Sequence, residues 1–315
     1  MKKYIILSHL ESFDFPLYEA TRKQVWWNAK KKQTEGYAVS IILLSNFNKK
    51  FVKEGIDIEF VNRWFWFPFI SADKVQFING SVSIWLLLGL FFRCEKTVTL
   101  TDGNMFGEKS VKLRKIIVKF LPLIYKEIIV YSNYQLNRLN IKKTRIKSPL
   151  LPSINIDSNT KRADTPTLLY MGHLSYFKGV DTIINSFKEI INEFPNLMLI
   201  IANNSVRGDE DLINEVANLK QTYPNNITIK GIVDPIKELS EAWVYLYPFK
   251  KAIGTMSFAL SLYEAEICKT PYITCDVGAN KELFNPDNII GVNDSIAMSN
   301  KIRQFIYERE DKRNL

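Results

Sequence analysis

Only three cysteines and two histidines occur in 315 residues. Cys94, Cys268 and Cys275 are too few and too scattered for a disulfide framework or a zinc site, which fits a reducing compartment. Long apolar runs are missing too. The nearest approach, Val82 to Phe92 with Ser83 and Gly89 inside it, has about half of the ~18 residues that a membrane span needs. It reads as a core helix or an interfacial one. The basic, then apolar start from Met1 to Leu7 is too short for a secretory signal, and no small-residue cleavage site follows it. Neither G-x-G-x-x-G nor G-x-x-x-x-G-K-[ST] is present, which argues against dehydrogenase and P-loop chemistry. There is no repeat of solenoid period, and no Ser/His/Asp series or His/Cys cluster suggests itself.

Hydrophobic residues make up 46% and charged residues 24%, the balance of a folded globular chain. The length exceeds the usual span of one domain, so two are expected. Charge is split unevenly. Residues 1–150 hold 25 Lys and Arg against 12 Asp and Glu, a net +13, and the remainder is −4. A basic half beside a mildly acidic one suggests a face that meets something anionic: nucleic acid, a membrane surface or a phosphorylated ligand.

The middle of the chain is the most legible. Thr167 to Met171 is a short apolar run that reads as a buried strand. A loop from Gly172 to Gly179 follows. Val180, Ile183, Ile184, Phe187, Ile190, Ile191 and Phe194 then form a helical stripe that ends before Pro195. Leu197 to Ile201 supplies the next strand. This is a βαβ unit with parallel strands and a right-handed crossover. Upstream, Tyr4–Leu7, Ala38–Leu44, Ile56–Val61, Val98–Leu100 and Ile128–Tyr131 read as strands, and Gly36 ends the first helix. Downstream, Ile227–Ile229, Val244–Tyr247 and Tyr272–Thr274 do the same. The polar stretch around Asn155 to Asp164 reads as a linker. The expected fold is α/β: two doubly wound, parallel-sheet, Rossmann-like domains, 1–155 and 156–315. Such sheets bind ligands beyond the carboxyl ends of their strands, here in the cleft between the domains.

Those strand ends carry the candidate residues. His9 and His173 each follow the first strand of a domain, and Asp102 follows Val98–Leu100. Asn203, Asn204, Gly231, Asp276 and Gly278 occupy similar places. Small and polar residues populate any such loop, so position alone does not assign them. Lys178-Gly179 stands at a helix start, where unpaired N–H groups and a partial positive charge favour an anion, and a lysine adds a mobile charge for phosphate oxygens. A second helix start lies at Gly254-Thr255-Met256-Ser257. Ser257, Ser261 and Glu264 then share one helix face, so that Glu264 could accept hydrogen bonds from a vicinal diol such as a ribose. Asp209-Glu210-Asp211 looks like a metal-binding acidic triplet, but it also reads as a helix first turn that favours negative charge.

Leu169–Leu174 with Lys178–Asp181 resembles the G-R-L-x-x-x-K-G segment of family-4 retaining glycosyltransferases, which have the GT-B fold. Ile229–Val233 resembles their f-x-G-x-v segment. Leu262–Ala265, Lys269–Thr274 and Asp276–Leu283 resemble their stretch around L-L-E-A-M-A. The likeness covers about Thr167 to Leu283, and the amino-terminal half matches only in layout. It implies transfer of a sugar from a UDP- or GDP-linked donor to a glycan or lipid-linked acceptor, with retained configuration and neither metal ion nor cofactor. By position, Lys178 would meet the donor diphosphate and Glu264 the ribose. Gly172 would lie at the donor, the backbone of Gly231 and Ile232 would meet the base, and the turn of Gly254, Thr255, Met256 and Ser257 would face the sugar and phosphate. His173 would support the departing phosphate, and Asp102 and His9 would orient the acceptor. Four departures stand out: Met256 takes the place of the first Glu of E-x7-E, His173 that of an Arg, Thr101-Asp102 that of an His-Asp pair, and His9–Ser12 that of a glycine-rich loop. A homologue that binds nucleotide-sugar without transferring it is the alternative reading.

Two features bear on the acceptor. Leu113, Ile116, Ile117, Phe120 and Leu121 form a stripe, with Lys112, Lys115 and Lys119 on another face, which predicts a basic amphipathic helix ended by Pro122. It is either packed on the core or interfacial. Trp64 to Phe69 is densely aromatic and either belongs to the core or lines a groove. A lipid-linked acceptor at the cytoplasmic leaflet would explain both, and the protein is expected to be cytoplasmic and peripheral to that membrane. No recognised nucleic-acid motif is present, so that partner is not expected.

Overall fold

Tyr4 to Ser8 are buried without interruption, the pattern of a strand covered on both faces. The structure is a computed structural model, and the residues described are 1–10, 12–15, 17, 20–62, 71–78, 82–100, 116–139, 141, 144–150, 161–202, 208–251 and 258–313. Those up to Leu150 form one unit, and those from Lys161 on form a second. The domain boundary expected near residue 155 lies outside the described residues.

In the first unit the strands are β1 (Lys3–His9), β2 (Ala38–Leu44), β3 (Lys49–Lys53), β4 (Ile56–Val61), β5 (Lys74–Ile78), β6 (Glu95–Thr99), β7 (Glu127–Val130) and β8 (Thr144–Ile146). They lie in the order β3-β4-β2-β1-β5-β6-β7-β8, parallel except for β3, which runs antiparallel to β4. The helices are α1 (Ala20–Thr34), α2 (Val82–Phe91), α3 (Leu121–Ile124) and α4 (Asn133–Leu139). On one face Tyr4, Ile6, Ile41 and Leu43 pack with Val25, Trp26 and Ala29 of α1. On the other Leu7, Val75, Phe77 and Val98 pack with Trp85 and Leu88 of α2.

Three of these strands escape a hydrophobic reading, each for a visible reason. β3 is a charged edge strand joined to β4 by Glu54-Gly55, both at positive φ (50° and 75°), the backbone of a tight two-residue hairpin. β8 is three residues long, at the other edge. β5 is central but polar at its middle: Gln76 is buried, accepting from the Tyr4 hydroxyl at 3.0 Å and donating to the Thr99 hydroxyl at 3.0 Å. A satisfied buried amide breaks the apolar run without breaking the sheet. Of the expected amphipathic helix, Lys112, Leu113 and Lys115 lie outside the described residues, and the part from Ile116 on is corrected. Residues 116–118 are helical, the chain turns at Lys119-Phe120, and Pro122 lies inside the first turn of α3 rather than ending a helix. Proline fits there because a first-turn N–H has no intrahelical partner to lose.

The second unit has β9 (Thr167–Met171), β10 (Met198–Ala202), β11 (Ile227–Lys230), β12 (Val244–Tyr247), β13 (Tyr272–Cys275) and β14 (Ile289–Ile290), all parallel, in the order β11-β10-β9-β12-β13-β14. Its helices are α5 (Val180–Ile190), α6 (Glu210–Thr222), α7 (Pro235–Glu241), α8 (Leu260–Ile267), α9 (Asn280–Leu283) and α10 (Ser295–Arg313). The predicted stripe of α5 is buried from Val180 to Ile190, against Leu199, Ile201 and α10. Strand order reverses direction between β9 and β12, the switch point at which such sheets open a ligand crevice.

Candidate functional site

At that switch point the loop after β9 and the segment after β12 touch. The loop is shaped by backbone chemistry. The buried Tyr170 turns its hydroxyl back to donate to the His173 carbonyl at 2.6 Å, and burial pushes the phenol well above its usual range. The Gly172 N–H donates to the Ala202 carbonyl at 3.0 Å, and the residue adopts φ +154°. A Cβ there would come within 2.9 Å of the Tyr170 hydroxyl, so the tyrosine needs a glycine beside it. Asp209 holds the next stretch: its carboxylate accepts from the Tyr176 N–H at 2.7 Å, and its own N–H donates to the Leu174 carbonyl at 2.8 Å. Glu210 and Asp211 occupy the first turn of α6, as expected.

Tyr176 to Lys178 form one turn of 3-10 helix, and Gly179, left-handed at φ +74°, leads directly into α5. A Cβ on Gly179 would collide with the Pro248 carbonyl oxygen, so this turn and the segment after β12 are in backbone contact. The Lys250 N–H donates to the Phe177 carbonyl at 3.1 Å, and the Lys250 ammonium pairs with Asp181 at 2.6 Å. Among the described residues no side chain caps the N-terminus of α5, which begins directly after the turn that carries Lys178.

Lys178 is held in an aromatic corner. Its ammonium lies 4.8 Å from the Phe249 ring centroid, 5.4 Å from that of Tyr247 and 5.7 Å from that of Phe177. It also donates to the Tyr247 hydroxyl at 3.0 Å. Attraction to several ring faces together with one hydrogen bond restrains a side chain that would otherwise sample many rotamers. Tyr245, Tyr247 and Phe249 stack in sequence, with centroids 6.1 and 5.9 Å apart. Tyr245 continues to α8, donating to the Ser261 hydroxyl at 2.8 Å. Glu264, one turn further along α8, is only 3% exposed, which is rare for a carboxylate and sets it apart from the exposed Glu266.

A half-buried arginine ties down the carboxyl end of α8. Arg162 donates to the carbonyls of Ala242, Cys268 and Lys269, at the carboxyl ends of α7 and α8, and to the Thr270 hydroxyl at 3.0 Å. Guanidinium donors suit such orphan carbonyls.

Of the expected site residues, Gly172, His173 and Lys178 thus follow β9, with His173 exposed. Gly231 and Ile232 follow β11, and Ile232 is 60% exposed. Among the described residues a Cβ on Gly231 would meet nothing within 4 Å, so their packing does not require that glycine. His9 ends β1, exposed, at the switch point between β1 and β5 of the first sheet. Asp102, Gly254, Thr255, Met256 and Ser257 lie outside the described residues, as do Asn203, Asn204 and the Trp64–Phe69 run; the helix start expected at 254–257 is corrected, since α8 begins at Leu260 after an extended Ala259. A cavity of about 460 Å3 lies on the first unit's sheet, floored by Tyr4, Gln76 and Thr99, and none of the expected residues among those described lines it. Sequence reasoning missed Tyr247, Phe249 and Arg162. The first two carried a signal: Tyr245, Tyr247 and Phe249 alternate, as side chains on one face of a strand do. Arg162 carried none.

Comparison with known proteins follows this geometry. The chain is 30% identical over 142 residues to the capsular polysaccharide biosynthesis glycosyltransferase CapM of Staphylococcus aureus, a match covering 44% of this chain and 36% of CapM. It thus spans about a third of that curated relative's length. Among solved structures it resembles a glycosyltransferase of Rickettsia africae (TM-score 0.69, 16% identity, 98% of this chain and 89% of the other). It also resembles HepE of Anabaena, solved with UDP-glucose (TM-score 0.70, 13% identity, 97% and 90%). These likenesses show the fold, two Rossmann-like parallel-sheet domains as in GT-B glycosyltransferases. Residues 153–315, half of the sequence, match Glycosyl transferases group 1, and the chain belongs to that family.

Proposed function

We propose that the chain transfers a sugar from a nucleotide-sugar donor to a glycan or lipid-linked acceptor, with retained configuration and without a metal ion. The observation that carries this reading is Lys178: a restrained cation at the switch point of a Rossmann-like sheet, beside the uncapped start of α5. A diphosphate placed there meets an ammonium and helix N–H groups together. When the bond between the sugar's anomeric carbon and the diphosphate oxygen breaks, negative charge grows on that oxygen. Preorganised positive charge stabilises it. His173 would add to it, and the departing phosphate would take the acceptor's proton. Glu264 would hold the ribose hydroxyls, Gly231 and Ile232 the base, and the Gly254–Ser257 turn the sugar. Asp102 and His9 would orient the acceptor. UDP is the first nucleotide to test, because HepE was solved with UDP-glucose and GtfA, a pneumococcal O-GlcNAc transferase, with UDP.

The protein would act in the cytoplasm, peripheral to the membrane. Among the described residues no helix is long and apolar enough to cross one. Thermal shift and turnover against a panel of UDP- and GDP-sugars test the proposal. Stabilisation by UDP or GDP with release of free sugar or transfer supports it. A shift without turnover favours the non-transferring homologue, and no shift with any donor removes the donor site.

A further inference from the structure

α2 has no charged residue: Val82-Ser83-Ile84-Trp85-Leu86-Leu87-Leu88-Gly89-Leu90-Phe91 is apolar apart from Ser83 and Gly89. A helix like that is normally enclosed. Here only one side is. Trp85 and Leu88 are 1% exposed and pack in the core with Phe77. On the other side Leu87 is 43%, Leu90 63% and Phe91 47% exposed. Their spacing, i, i+3 and i+4, makes one stripe.

A second stripe runs beside it. Ile116, Phe120 and Leu123 are 56%, 50% and 81% exposed. This segment touches α2: the Tyr125 hydroxyl donates to the Trp85 carbonyl, and a Cβ on Gly89 would lie 2.7 Å from that hydroxyl and 2.8 Å from Ile124. Lys96 closes the carboxyl end of α2 by donating to the Gly89 and Phe92 carbonyls, at 2.8 and 2.6 Å. One exposed leucine needs no explanation. Six large apolar side chains on two elements in contact do.

The charges within these two segments are of one sign. Residues 82–94 and 116–125 contain Arg93 and Lys119 and no Asp or Glu. Arg93 and Lys119 are exposed. The first acidic neighbour, Glu95, is already paired with Lys74 and Lys126.

We propose that the exposed stripes of α2 and of residues 116–123 dock the protein on the anionic face of a lipid bilayer. The apolar side chains enter the boundary between headgroups and acyl chains, and the basic residues meet the lipid phosphates. The charge pattern selects this occupant over a second copy of the chain. A second copy of this patch would offer Arg93 and Lys119 no acidic residue of the patch to pair with, whereas an anionic surface neutralises both. The assignment rests on the membrane location proposed above and is independent of the Lys178 site.

The test is co-sedimentation of the full chain with phosphatidylcholine vesicles, with and without phosphatidylglycerol, at low and high salt. The wild type is expected to bind the anionic vesicles and release them as salt rises. Leu90→Ser with Leu123→Ser is expected to lose about tenfold or more in binding. Lys119→Glu is expected to lose about fivefold or more. Val52→Ser with Ile296→Ser removes equally exposed apolar side chains elsewhere (62% and 65%) and is expected to bind like the wild type. Unfolding temperatures confirm that each variant is folded. Absence of wild-type binding overturns the proposal, as does full binding by the Leu90 and Leu123 variant. A wild-type dimer that this variant turns into a monomer, without any vesicle binding, assigns the patch to a second copy instead. The UDP-induced thermal shift, measured on the same samples, reports on the donor site separately.

Discussion

The Lys178 ammonium donates to the Tyr247 hydroxyl at 3.0 Å, which joins the loop after β9 to the end of β12 across the switch point of the second sheet. The two residues are 69 positions apart in the chain. Neither has an evident task alone: a lysine in a loop is common, and so is a tyrosine at a strand end. Together they make a cation of fixed position.

That pairing yields the first prediction. Lys178→Ala should weaken UDP or GDP binding about 10- to 150-fold, since one charge-assisted contact is worth about 1.5–3 kcal/mol. Tyr247→Phe keeps the ring and loses only the hydroxyl, so it should weaken binding about 2- to 10-fold, the worth of a neutral hydrogen bond. In the Lys178→Ala background Tyr247→Phe should do nothing. Isothermal titration of the four proteins checks this; equal effects of Tyr247→Phe in both backgrounds would mean that the tyrosine does not act through the lysine.

Glu264 and Glu266 separate burial from ribose binding. Glu264→Gln should raise the donor KM and weaken nucleotide binding, by about tenfold for a lost charged acceptor. Glu266 is exposed and accepts from the Tyr272 hydroxyl at 2.9 Å, away from the Tyr245–Ser261 contact. Glu266→Gln should leave donor kinetics unchanged. If Glu264→Gln lowers the unfolding temperature and leaves binding intact, Glu264 is structural.

Metal independence can be checked directly. The proposed function gives the diphosphate to Lys178 and helix N–H groups, and the Asp209 carboxylate is already engaged by the Tyr176 N–H. Activity should therefore survive EDTA. Loss of turnover on chelation, restored by magnesium or manganese, would require a metal-bound diphosphate.

Gly179 tests the turn that aims Lys178. Its φ of +74° and the closeness of the Pro248 carbonyl oxygen leave no room for a side chain. Gly179→Ala should destabilise by at least about 1–3 kcal/mol, the cost of a non-glycine residue in that backbone region, with the steric clash added. Urea unfolding measures it. An unchanged midpoint would mean that this turn does not pack against Pro248.

Much of the fold was legible in residue order. Runs such as Ala38–Leu44, Thr167–Met171 and Val244–Tyr247 coincide with their strands, because strands buried on both faces need continuous apolar residues, while Ile56–Val61 was legible from the alternation of a strand buried on one face. The α5 stripe was equally plain, because a helix packed on a sheet must repeat its apolar residues every three or four positions. Where burial is polar, short or at an edge, the pattern fails. Gln76 sits in a central strand because Tyr4 and Thr99 satisfy its amide, and those residues lie 72 and 23 positions away. At Pro122 the same residue that ends one helix can start another, and local sequence does not distinguish the two.

The candidate site divides in the same way. By itself the sequence determined that Lys178 and Gly179 begin a helix after a strand and that Glu264 shares a helix with Ser261, since both follow from local periodicity. Only the tertiary structure decided what surrounds them. Strand order places β12 beside β9, and from that single adjacency come the Tyr247 hydroxyl, the Phe249 ring and the Pro248 carbonyl that makes Gly179 necessary. Tertiary packing likewise left Leu90 and Phe120 facing outward, where the sequence offered only an apolar stretch and a stripe of unspecified side. Periodicity reports which residues share a face. What that face meets depends on contacts between distant segments, and those exist only once the sheet has formed.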